Sequence, residues 1–203
     1  MLSKRGVAGL AVAALTIAGL SACGDDAGRA TATGTTATTA AEPSEVPEGV
    51  AAQHAVLEEE VAEEGGSVET GEWRIGYIKE PAEGWFQMDQ GHLVWRDPAR
   101  GETAHLEIIP IERETGRIVP GARITLEVLD DSGERVEKKP LSFYYAEFFH
   151  YAENFRIPSD GEYMLRATVE TPQFRRHSDE SGAPELMDRA QVEFENVMID
   201  VDA

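Results

Sequence analysis

"RITLEVLDDSGE", Arg123–Glu134, is the stretch whose reading decides the fold class. Ile124, Leu126 and Val128 alternate with Thr125 and Glu127, so one face is apolar and the other polar. A period of two belongs to a strand with one face on a core and one in water, the habit of antiparallel sheets. The run stops at "DDSGE", Asp130–Glu134, where Asp tolerates and Gly readily adopts the positive φ of a tight turn. The same device recurs downstream. "PSDGE" (Pro158–Glu162) is a turn, and Tyr163, Leu165, Ala167 and Val169 alternate after it.

Aromatic and β-branched clusters separated by turn residues predict strands over 73–78, 92–95, 103–111, 123–129, 142–151, 163–170 and 191–201. In the last, Val192 and Phe194 share one parity while Val197, Ile199 and Val201 share the other, which predicts a β-bulge near Glu195–Asn196. Seven short strands without long helical periods predict an all-β fold, an immunoglobulin-like antiparallel β-sandwich over residues 73–203.

The segment before it reads differently. Lys4 and Arg5 precede an apolar run from Val7 to Leu20, too short to span a bilayer, and "LSAC" (Leu20–Cys23) follows. This predicts a signal peptide over 1–22, and the four residues resemble a bacterial lipobox, which implies lipid on Cys23. Cys23 is the only cysteine, so no internal disulfide forms, and lipidation accounts for a lone thiol in an exported chain. From Gly24 to about Gly49 the chain is rich in Ala, Thr, Gly, Ser and Pro, a composition that cannot bury enough surface to offset chain entropy. Residues 23–72 therefore read as a disordered, acidic tether. Within it, "VAAQHAVLEEEVAEEGG" (Val50–Gly66) reads either as a short amphipathic helix with Val50, His54, Leu57 and Val61 along one side, or as a segment that orders only on docking.

Thirty-eight acids against 18 bases give a net charge of -20. That excess argues against nucleic acid as a partner and against anionic headgroups as a docking surface. It suits cations, basic partners or plain solubility. There is no Gly-x-Ser-x-Gly elbow, catalytic cysteine or phosphate-binding glycine loop, so the composition gives no support to an enzyme.

Of the five histidines, His54 and His92 read as surface residues. His105 and Glu107, two apart in "TAHLEIIPI", project from one strand face. His150 ends an aromatic-rich strand in "EFFHYAEN", and His177 sits in the loop "FRRHSDESG" (Phe174–Gly182). Imidazole and carboxylate together bind borderline transition metals, and Cu(II) accepts mixed N/O ligation.

"HYAEN" (His150–Asn154), "GEYML" (Gly161–Leu165) and "FRRHSDESG" follow the strand His105-Leu106-Glu107 in an order and spacing that resemble the periplasmic iron-transport family of P19-type and ferrous-iron-transport accessory proteins. The resemblance covers roughly residues 73–200. It implies an immunoglobulin-like, usually dimeric protein that binds copper, with iron or another divalent transition metal as the alternatives, beside an iron permease. It also implies that Glu107, His150 and His177 are ligands and that His105 belongs to a second, looser site. A ligating imidazole usually donates its other N–H to a carboxylate or carbonyl, and for His177 the nearest candidate in sequence is Asp179. The family's methionine ligand falls on Phe143, so Phe143→Met is expected to restore affinity for Cu(I), and binding is expected to fade below about pH 6 as imidazole protonates. Met88, in "WFQMDQ", is unaligned with that ligand. The resulting expectation is a metal-binding protein on the extracytoplasmic face of the membrane. The alternative is an immunoglobulin-like lipoprotein serving as a protein-contact module, which exposed aromatics among Phe143, Tyr144, Tyr145, Phe148 and Phe149 would favour.

Overall fold

One strand, Ala104–Glu112, is buried along its whole length, and the rest of the architecture explains why. The computed structural model describes residues 46–177 and 184–201. The signal peptide, Cys23, the tether up to residue 45, and Asp179 and Glu180 lie outside them.

In chain order the elements are helix α1 (Glu48–Glu64) and strands β1 (Gly65–Thr70), β2 (Trp73–Pro81), β3 (Trp85–Asp89), β4 (His92–Arg96), β5 (Ala104–Glu112), β6 (Ile124–Leu129), β7 (Arg135–Pro140), β8 (Ser142–Tyr145), β9 (Phe149–Phe155), β10 (Gly161–Val169) and β11 (Ala190–Ile199). Five strands form one sheet in the order β1-β2-β5-β9-β8, four form the other in the order β11-β10-β6-β7, and β3 and β4 make a separate hairpin. Every pairing is antiparallel. The fold is the expected immunoglobulin-like antiparallel sandwich.

The inner faces supply the core. Leu106 and Ile108 of β5, Ile124, Leu126 and Val128 of β6, and Leu165, Ala167 and Val169 of β10 pack with Trp73, Phe155 and Phe194 between the sheets. The bulge lies where the parity change put it. Tyr163 pairs with Val197 but Leu165 pairs with Phe194, and Asn196 takes a φ of 56°. The extra residue returns Val197 and Ile199 to the core side.

Three strands were not foreseen. β1 and β7 carry too few large apolar residues, and β3 has the wrong alternation for a sheet with a dry face. The single strand expected over 142–151 is two, β8 and β9, joined by a bend at 146–148 that buries Phe148.

The domain also begins earlier than expected. Residues 48–70, read as tether, are helix and strand, and the compact unit is Glu45–Ala203. Of the helical side expected to pack, only Leu57 and Val61 do so. They join Ile78, Ile109, Ile111 and Phe148 in a second apolar cluster on the outer face of the five-stranded sheet. Glu58 binds Arg74 through both carboxylate oxygens, and Glu64 pairs with Lys79 at 3.3 Å. The helix runs straight into β1 at Gly65, where a β-carbon would lie 1.8 Å from the Tyr77 carbonyl oxygen, so no other residue fits that junction. With α1 over one end of its outer face, β5 is covered on both sides. Polar residues on that face are therefore buried.

Candidate metal centre

His105 and Glu107 occupy the outer face of β5, as their spacing requires. Their antiparallel neighbours are Glu80 and Ile78 on β2, and Asn154 and Ala152 on β9. His150 of β9 lies on the same face, one turn of the pleat further on, opposite Tyr144 of β8. One ligand atom from each of His105, Glu107 and His150 lies within 4.8 Å of the other two. The Glu107 Oε1 atom is 3.9 Å from His105 Nε2 and 3.6 Å from His150 Nε2. Two donors bound at about 2.1 Å to one tetrahedral ion stand about 3.4 Å apart. The Glu107 oxygen therefore stands within about half an ångström of that spacing from each imidazole nitrogen.

The side chains are dry. His105 has no exposed surface, and Glu107 and His150 are each 5 % exposed. Yet His105 Nε2, Glu107 Oε2 and both ring nitrogens of His150 are buried without any hydrogen-bond partner. Unpaired buried polar atoms each cost about 1–3 kcal/mol, so four in one place demand an account. Three residues that converge on a point and leave their lone pairs unused fit a cation.

Asn154 fixes the chemistry of His105. The Asn154 Oδ1 atom accepts from the Glu83 amide N–H at 3.3 Å, and Asn154 Nδ2 donates to the Glu83 carbonyl oxygen at 2.7 Å, which sets which way the amide points. Oδ1 therefore accepts from His105 Nδ1, 2.9 Å away. The Nδ1 proton is held, and the Nε2 lone pair faces the Glu107 oxygen. Metal-ligating histidines are commonly oriented in this way by the hydrogen bond of the other nitrogen.

The electrostatics are those of a poised cation site. Burial pushes the Glu107 carboxyl up to about 8, helped by the neighbouring charges of Glu80, Glu60, Glu83 and Glu147. Burial, together with the nearby His105, holds the His150 imidazole down to about 4. Near neutral pH His150 is therefore an unprotonated donor, while Glu107 keeps a proton that a bound cation would have to displace.

Aromatic rings wall the centre. The Tyr144 ring stacks on His150 with centroids 5.4 Å apart and planes 8° from parallel. Its edge meets His105 at 5.8 Å, and Trp85 of β3 abuts Tyr144 at 5.4 Å. Phe148 closes the other side against His150 at 5.6 Å.

Three sequence expectations change here. His105, assigned to a second site, belongs with Glu107 and His150. His177 does not join them within this chain. It is exposed and lines a separate cavity of about 240 Å³ with Glu112, Ile118, Val119 and Leu186. Glu112 is five residues beyond Glu107 on β5, about 17 Å at strand rise. Phe143 does not face the centre either. It packs on Phe149 at 5.3 Å and on the core residue Tyr151 at 4.9 Å, because adjacent strand residues point to opposite faces. Tyr144 holds the place beside His150. Met88 is exposed on the outward face of the hairpin, and His54 and His92 are exposed as expected. Asn154 lay inside the quoted "HYAEN" motif and was readable there, whereas no sequence signal singled out Tyr144.

Comparison with known proteins agrees with this fold. The chain resembles the solved structure of FetP from uropathogenic Escherichia coli strain F11, with a TM-score of 0.51 and 20% identity over 68% of this chain and 96% of that one. It also resembles copper-reconstituted P19 from Campylobacter jejuni, with a TM-score of 0.51 and 22% identity over 66% and 94%. At these identities the likeness is one of fold. No curated protein matches the chain. Residues 103–198, which contain β5, β9 and all three converging side chains, match the family described as Fe2+ transport protein. That match, together with the likeness of fold to P19 and FetP, supports the resemblance to the P19-type iron-transport family that the sequence motifs carry.

Proposed function

We propose that this chain is an extracytoplasmic, lipid-anchored protein that holds copper at His105, Glu107 and His150 and assists high-affinity iron transport beside a permease. The observation that carries the reading is the convergence of buried, unpartnered lone pairs from these three residues. Two imidazoles and a carboxylate are a borderline-to-hard set, and Cu(II) heads the divalent series for such ligands. The copper-bound structures of P19 and FetP support the choice of metal, and the family supports the role in iron transport. The role proposed is binding and delivery, not catalysis.

His177 remains a proposed ligand only through a homodimer. It stands exposed and far along the sandwich from its own chain's centre, so a second copy would have to present it. Metal analysis of protein purified without chelator tests the core of the proposal. About one copper per chain is expected, with loss of that copper in His150→Ala. Metal-free protein that takes up neither Cu(II) nor Cu(I) at micromolar concentration would overturn it.

The contact-module reading keeps one observation in its favour. Phe143, Tyr145 and Phe149 are exposed, although Phe148 is buried and Tyr144 is committed to the centre.

The anchor has its own test. If acyl chains on Cys23 provide the membrane attachment, Cys23→Ser moves the protein from the detergent phase to the aqueous phase or leaves it unprocessed. Unchanged partition of the variant would remove the lipid from the proposal.

A further inference from the structure

Glu83 lies outside the segment that matches the family, and no motif marks it. It sits between β2 and β3, where its backbone is clamped at both ends by the Asn154 amide. Its side chain is free to turn toward the centre and does so. Glu83 Oε1 lies 3.4 Å from His105 Nε2, closer than the 3.9 Å of Glu107 Oε1 from the same nitrogen. His105 is fully buried, and that nitrogen has no hydrogen-bond partner.

Because Asn154 holds the proton on Nδ1, the Nε2 lone pair faces the Glu83 carboxylate. Two acceptors turned toward one another repel unless a proton or a cation lies between them. The separation of 3.4 Å equals the spacing of two donors on one tetrahedral ion at bond lengths of about 2.1 Å. Unlike Glu107, Glu83 reaches water, with its side chain 49% exposed. Glu80, directly opposite His105 across the β2–β5 ladder, adds a second carboxylate on this side. The far walls are Tyr144, Trp85 and Phe148, which carry no anionic donor.

We propose that Glu83 is a fourth, solvent-facing ligand of the metal centre, through which a divalent transition ion enters the buried set of His105, Glu107 and His150. The proposal rests on the metal-centre reading above and adds a residue to it. Its geometry distinguishes two kinds of carboxylate at one ion. Glu107 is buried and would hold the ion within the dry set. Glu83 is exposed, meets the ion first and keeps one coordination position open to exchange with water or a receiving partner.

The test is a Cu(II) titration of the full mature chain, with electron paramagnetic resonance of the loaded protein, for wild type, Glu83→Gln, Glu83→Asp and Glu107→Gln. Glu83→Gln keeps the backbone contacts with Asn154, so metal-free thermal unfolding should match wild type and exclude a folding defect. The expected result is an affinity loss of about 10- to 100-fold, the range for losing a supporting group at a metal site. It should come with altered copper hyperfine values and a slower association rate, and Glu83→Asp should recover part of the loss. If Glu107→Gln abolishes binding while Glu83→Gln leaves affinity and spectrum unchanged, Glu83 is only an ion-pair partner of His105 and this proposal fails alone. It fails in the same way if affinity falls with no spectral change. If Glu107→Gln also leaves binding intact, the centre itself has been misassigned.

Discussion

Glu107→Gln is expected to separate the cost of the centre from its use: the variant loses Cu(II) binding by at least about 100-fold, yet its metal-free form gains on wild type as pH rises. The sign follows from the direction of the shift. Glu107 titrates near 8 in the folded chain against an ordinary value of 4.5, because burial and the surrounding carboxylates disfavour its charge. A group whose folded value is raised stabilises fully below the ordinary value, and that contribution is lost as pH climbs through the folded one. Wild type therefore loses stability between about pH 4.5 and 8 relative to a variant that cannot ionise there. At about 1.4 kcal/mol per pH unit, the gap between the two proteins changes by at most about 5 kcal/mol. Urea unfolding at intervals from pH 5 to pH 9, in chelator, reads it directly. Parallel stability curves would show that Glu107 is not buried as a neutral acid.

The same shift governs binding. Below about pH 8 an incoming ion must displace the Glu107 proton, so wild-type affinity should fall about tenfold per pH unit over that range. The fade expected from an ordinary imidazole, below about pH 6, is superseded. His150 is held down to about 4 by burial and does not compete for protons until pH is close to that value. In the metal-free chain its depressed value works in the opposite direction to Glu107: stability present above pH 6.5 is lost as pH falls toward 4. The two windows overlap between about pH 4.5 and 6.5, where the opposing slopes cancel, so the combined contribution of these two groups is greatest in mildly acidic solution.

Tyr144→Met is expected to raise affinity for Cu(I) by about 10- to 100-fold and to change Cu(II) affinity little, because it sets a soft thioether beside His150. Phe143→Met should do neither. Tyr144 is the β8 residue on the same face as His150, with its ring against the imidazole, whereas Phe143 packs toward Phe149 and Tyr151 on the other side. The methionine position that the family resemblance puts on Phe143 is one residue out of register with the face that holds the centre, and one residue in a strand is the difference between two faces. Competition against a Cu(I) chelator, run on both variants beside wild type, checks this. A gain in Phe143→Met alone would mean that β8 pairs in the shifted register.

The sequence alone was enough for the sandwich, the paired alternation of β6 and β10, and the bulge at Glu195–Asn196, because each is a local matter of period two and its interruption. It was also enough to single out His105, Glu107, His150 and His177 as candidate ligands by residue type, and to put His105 and Glu107 on one strand face, since both are written along the chain. Tertiary structure alone decided which of them meet. The burial of Glu107 depends on α1 and Phe148 covering the outer face of β5, and α1 lay in a stretch whose composition reads equally as tether. An acidic helix with only Leu57 and Val61 to bury is stable because a sheet face, Arg74 and Lys79 await it, and none of these is adjacent in sequence. His177 fell away from the set for the complementary reason: motif order fixes succession along the chain, while its distance from Glu107 is fixed by which end of the sandwich its loop closes. Glu83 and Tyr144 entered for the same cause. Their roles come from the pairing of β2 with β5 and of β8 with β9, and cross-strand register is a long-range choice made by the packed core.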